Sequence, residues 1–71
     1  MKLRFTAIIQ PGETFLVATC PEVPEAHGQG MTEAEAIRDL EASIESILEY
    51  RREEALEHME AGAQSRELLV A

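Results

Sequence analysis

The sequence has one cysteine, Cys20, so no internal disulfide framework is available to it. Cys/His clusters with the spacing of a structural zinc site are also missing. Basic residues are scarce, with six Lys and Arg against fourteen Asp and Glu and a formal charge of −8. That balance excludes nucleic acid and anionic membrane surfaces as main partners, because both reward a basic face. Direct DNA binding is therefore not expected. No run of 18 apolar residues occurs, and the N-terminus has no long apolar core of the signal-peptide kind. The expectation is a soluble, cytoplasmic protein with no membrane association. Repeats, low-complexity tracts and linkers are absent, so residues 1–71 are read as a single domain. With 45% hydrophobic residues the chain is too apolar for a disordered acidic tail. A domain of this length buries a small core, and self-association is the supplement left open to it.

The charge is unevenly distributed. Residues 1–31 hold Lys2 and Arg4 against Glu13, Glu22 and Glu25, whereas residues 32–71 hold four arginines against eleven acids. Lys2 to Ile9 alternates polar and apolar and reads as a half-buried strand, with Leu3, Phe5, Ala7 and Ile9 on one face. Gln10-Pro11-Gly12-Glu13 supplies turn chemistry, and Thr14 to Cys20 reads as a second strand. Together they form a hairpin with a three- or four-residue loop, since a Pro-Gly turn suits two-residue hairpins poorly. Two registers remain open. With Ile9 facing Thr14, the core face gains Leu16, Ala18 and Cys20, and Ile8, Phe15 and Val17 lie outside. With Ile9 facing Phe15, it is Ile8, Leu16 and Ala18 that lie outside. Either register leaves an apolar outer face around Ile8, which one helix cannot cover together with the opposite face. Ile8, Phe15 and Val17 are accordingly the candidate interface of a homo-oligomer, a dimer or tetramer.

Pro21 and Pro24 exclude regular structure over residues 21–25. The segment Ala26 to Gly30 reads as a short third strand suited to an edge or bulge. Thr32 then sits as an N-cap with Glu35 closing a capping box. Ile37, Leu40, Ile44, Ile47 and Leu48 recur at helical spacing, which predicts a helix from Glu33 to Tyr50 extending toward Ala61, with Gly62 as its stop. Ser65 to Val70 reads as a final short strand. The fold class is α+β in the order β-β-β-α-β, a small sheet with one helix packed on one face.

Chemistry-bearing patterns are few. Glu41, Glu45, Glu49, Glu53 and Glu57 recur every fourth residue and form an acidic ridge. This is either a solvated face or a surface that captures a basic protein, and Glu41, Glu45, Glu49 and Glu53 are its candidate partner-binding residues. Glu54 and His58 share a helix face but have no third ligand near them in sequence, so no metal site is expected. His27 has no nucleophile beside it and reads as an edge-strand histidine. Cys20, with no flanking base, reads as a small buried hydrophobe rather than a nucleophile. Gly28-Gln29-Gly30 lacks both the dinucleotide fingerprint and the Gly-Lys-Ser/Thr of a P-loop, and Glu33 and Glu35 at the helix start would repel phosphate. No catalytic residues and no cofactor are expected.

The segment Phe15-Leu16-Val17-Ala18-Thr19-Cys20-Pro21-Glu22-Val23-Pro24-Glu25, followed by Gln29-Gly30-Met31-Thr32-Glu33-Ala34-Glu35-Ala36, resembles the HicB-like antitoxin family. The resemblance lies in a strand running into a Pro-acid-aliphatic-Pro loop and a Gly-x-Thr that opens a Glu/Ala-rich helix, and it covers roughly residues 1–50. It implies a partly degraded RNase H-like fold and a partner, HicA, a small basic RNA-cleaving toxin that the domain neutralises. Glu25 departs from the family pattern, which has Gly there. The member implied is a short single-domain one, without the ribbon-helix-helix or helix-turn-helix domain that binds operators. RNase H activity needs several converging acids, and with Asp39 as the one aspartate no such set is legible. An enzyme is not expected.

Overall fold

The computed structural model describes residues 4–70. Three antiparallel strands, β1 (Ile8–Pro11), β2 (Leu16–Thr19) and β3 (His27–Gly30), precede one long helix, α1 (Glu33–Glu57). The strands pair in the order β1-β2-β3, so the middle strand of the sequence is also the middle of the sheet. This is the α+β arrangement expected, apart from the final strand.

The hairpin register differs from both that the sequence left open. Ile9 faces Ala18, and Pro11 faces Leu16. The loop therefore shifts to Gly12–Phe15, four residues, closed by the Gly12 N–H donating to the Phe15 carbonyl at 2.8 Å. Pro11 ends a strand instead of opening a turn. An antiparallel ladder turns alternate residues outward, and Pro11 lies on the open edge where its missing N–H costs no ladder bond. The faces nevertheless come out as in the first of the two alternatives, with Ile9, Leu16 and Ala18 together on the helix side. Regular pairing begins at Ile8, so residues 4–7 run beyond the strand, and Lys2 and Leu3 lie outside the described residues.

On β3, Gly28 pairs with Ala18 and Gly30 with Leu16. Both glycines lie against the first two turns of α1. A Cβ on Gly28 would come within 2.9 Å of the Leu40 Cα, and one on Gly30 within 2.8 Å of the Ala36 N. The Gly-x-Gly pair thus exists to let the helix backbone approach the strand, which no side chain would permit. The core that results is thin: Ala18, Cys20, Val23, Ala26, Ala36, Leu40 and Ile44 are buried, with Ile9, Leu16 and Ile47 packed against them.

Thr32 caps α1 as expected: its side chain accepts from the Glu35 N–H, and the Glu35 carboxylate accepts from the Thr32 N–H. The helix ends at Glu57, short of Ala61, and Gly62 (φ 88°) forms a turn five residues further on, with the Ala63 N–H donating to Glu60. Beyond Tyr50 every residue of α1 is exposed, because the sheet ends and nothing remains to pack against. Ser65 to Val70 forms no strand. It turns back beside the helix, where Arg52 donates to Glu67 at 3.3 Å. A strand needs a neighbour for its hydrogen bonds, and among the described residues the tail lies beside a helix whose own backbone groups are already paired.

Candidate functional site

The acidic ridge is built by a four-residue step on a helix of 3.6 residues per turn, so each carboxylate advances about 40° around α1 and the ridge winds. From Glu41 to Glu53 it spans about 18 Å. Glu41, Glu45, Glu49 and Glu53 are all exposed. Among the described residues the ion pairs are Arg51 with Glu25 and Arg52 with Glu67, so the four ridge glutamates keep their charge unpaired. Glu45, Glu49 and Glu53 border a shallow surface with Leu48 and Tyr50. Glu41 and Glu45 also rim a groove between the N-terminal segment and the helix, floored by Phe5, Ala7, Ile37, Ile44 and Leu48. Acidic charge beside exposed apolar side chains is a surface that a cationic, partly apolar protein can occupy.

The outer face of the sheet is less apolar than the sequence implied. Ile8 and Val17 lie on it, and Phe15 sits in the hairpin loop at its end. Gln10, Thr19, His27 and Gln29 fill the remaining positions, by the same alternation that points Ala18 and Gly28 inward. Ile8, Val17 and Phe15 therefore run diagonally across the β1–β2 hairpin, from the Thr19 end of β1 to the loop, with Gln10 and Thr19 between them.

Three polar anchors were not legible in the sequence. The Glu22 carboxylate accepts from the Thr6 N–H at 2.8 Å and the Thr6 hydroxyl at 2.7 Å, replacing the acceptor that β2 would supply had it continued. The Cys20 thiol donates to the same carboxylate at 3.3 Å, and the thiol itself is buried, as a small hydrophobe should be. The Thr6 backbone N–H, then its hydroxyl, with smaller help from the Glu22 backbone N–H and Cys20, lower the Glu22 pKa from 4.5 to about 2 against an opposing desolvation. A folded pKa below the unfolded one contributes stability that is complete above pH 4.5 and is lost as pH falls toward 2. The Glu22 side-chain carbon is expected to titrate by NMR with a midpoint near 2, with Thr6 amide protection fading over the same window; a midpoint near 4.5 would show that these bonds do not hold in solution.

Glu25 is the second anchor. Its own backbone N–H and then the Arg51 guanidinium hold its carboxyl below the ordinary value. No described residue other than Gly62 has a positive φ, so Glu25 is held without backbone strain. The loop that carries it is two successive turns, Val23 N–H to Cys20 and Ala26 N–H to Val23, which together bury Val23. The third anchor covers the β3 edge: the Gln29 N–H donates to Asp39 at 3.0 Å and the His27 N–H to Ser43 at 3.3 Å. Asp39 thus has a structural partner, and His27 is an exposed edge-strand residue whose backbone N–H, not its imidazole, is bonded to Ser43. Glu54 and His58 are exposed at the end of the helix. Among the described residues no group of three His, Cys, Asp or Glu side chains is placed to hold a metal ion, and no helix is long and apolar enough to cross a membrane.

Neither a family model nor a solved structure matches the chain. A curated relative does: the UPF0150 protein ssl0738 of Synechocystis sp. (strain ATCC 27184 / PCC 6803 / Kazusa) is 47% identical over 55 residues, which is 76% of this chain and 76% of the relative.

Proposed function

We propose, on the premise that this chain belongs to the UPF0150 family, that it is an antitoxin-like binding module of the HicB-like kind that neutralises a small basic RNA-cleaving toxin of HicA type. The single observation that carries the reading is the row of unpaired, exposed carboxylates at Glu41, Glu45, Glu49 and Glu53. A surface that binds RNA is basic, and an acidic ridge about 18 Å long can cover it in place of the phosphates. Inhibition then needs no chemistry from this chain: it occupies the toxin's substrate surface and adds field-driven capture. Tyr50, exposed beside Glu45, Glu49 and Glu53, supplies the apolar contact that charge alone does not provide.

Affinity purification from the native cell at low and high salt tests this. A small basic protein is expected to be retained at low salt and released as salt rises, and its RNA cleavage is expected to stop on adding one equivalent of the purified chain. Recovery of the chain alone, in oligomeric form, would instead favour a homo-oligomer with a structural or regulatory role and no toxin. The exposed apolar residues Phe5, Ile8 and Phe15 near the β1 edge speak for that second reading.

A further inference from the structure

The two edges of the sheet are unequal. The outward N–H groups of β3 are taken by Asp39 and Ser43, so that edge is closed. At β1, the Gly12–Phe15 bond continues the ladder, and its alternation directs the N–H groups of Ala7 and Ile9 away from β2 into open space. Directly beneath this open edge runs the groove between Phe5 and Ala7 on one side and Ile37, Ile44 and Leu48 on the other. Ile37, Ile44 and Leu48 thus leave an apolar groove beside a sheet edge on which, among the described residues, no strand pairs.

The same molecule carries a segment with the complementary defect. Leu68, Leu69 and Val70 are 84%, 103% and 66% exposed and pair with nothing regular. We propose that Ser65–Val70 of a second copy of this chain adds as the fourth strand at the β1 edge, in an exchange that closes a dimer. Strand periodicity places Leu68 and Val70 toward the groove and Leu69 beside Ile8 on the outer face, so both sets of apolar residues find cover. Charge permits the contact: Arg66 and Glu67 cancel within the tail, and the acids are concentrated along the helix rather than on residues 4–11. Within one chain the tail turns at Gly62 and lies beside Arg52 and Leu56, away from its own groove. The tail lies folded back on the exposed last turns of α1, so the exchange replaces its contact with Arg52 and Leu56 by pairing with a second copy.

Amide exchange on the unaltered chain at two concentrations a hundred-fold apart, with sedimentation at each, tests the proposal. Protection of the Ala7 and Ile9 amides is expected to rise at least ten-fold at the higher concentration, together with conversion of monomer to dimer. Leu68→Asp is expected to weaken the dimer at least ten-fold, and Met31→Asp, at the far end of the sheet, to leave it unchanged. Protection that does not vary with concentration would assign the edge to the chain's own tail and overturn the exchange. So would unprotected amides, a monomer throughout, or undiminished association of Leu68→Asp. The neutralising activity proposed above is read separately, by RNA cleavage.

Discussion

Gly28→Ala is expected to lose about 3 kcal/mol of stability, at the upper end of what overpacking a core costs. The added methyl would meet the helix backbone at Leu40, which cannot rotate aside as a side chain can. Relief requires α1 to lift from β3, and the contacts of Ala36 and Leu40 with Ala18 and Ala26 would loosen together. At roughly 0.05–0.15 kcal/mol per residue a chain of this size has about 4–10 kcal/mol in total, so the loss takes a large share. For domains of this size it corresponds to a fall in Tm of about 12–24 °C. Gln29→Ala, next along the same strand but on the outer face, keeps the backbone bond to Asp39 and is expected to change stability by less than about 0.5 kcal/mol. Thermal unfolding followed by circular dichroism separates the two; a Gly28→Ala chain melting within about 2 °C of the parent would show that the helix is not seated as described.

If the proposed basic partner binds at the ridge, replacing Glu41, Glu45, Glu49 and Glu53 together by glutamine is expected to slow association with it about 10–100-fold at low ionic strength, and to remove most of its salt dependence. The substitution leaves the fold intact, since all four side chains are exposed and none is ion-paired among the described residues. Relief of like-charge neighbours at four-residue spacing should even add a few tenths of a kcal/mol per pair to the helix. The expected signature is therefore a slower on-rate with an equal or higher Tm, measured by stopped-flow binding to the co-purified protein at two salt concentrations. An unchanged rate would make the ridge a solvated face and would move the partner surface elsewhere.

What could be read from the residues alone followed from local chemistry. The capping box at Thr32 and Glu35, the helical stripe through Leu40 and Ile44, the irregular Pro21–Pro24 segment and the burial of Cys20 depend on near neighbours in the chain, and each is found where expected. The acidic ridge is legible for the same reason: a four-residue repeat on a helix makes a continuous, slowly winding row whatever else the fold does. The hairpin register was beyond reach, because a Pro-Gly pair in the turn region permits several loops, and only cross-strand packing selects Ile9 opposite Ala18. The tail was misread because Leu68 to Val70 has the composition of a strand, whereas a strand forms only where an edge accepts it. Gly28 and Gly30 looked like a weak edge strand and prove to be the seat of the helix, a role set by residues 5–12 positions away in sequence. The residues by themselves determined where the helix begins, that three strands precede it and where the charge lies, because those properties are local. Tertiary structure alone decided which sheet edge is closed by Asp39 and Ser43 and which stays open, because that depends on where the helix lands.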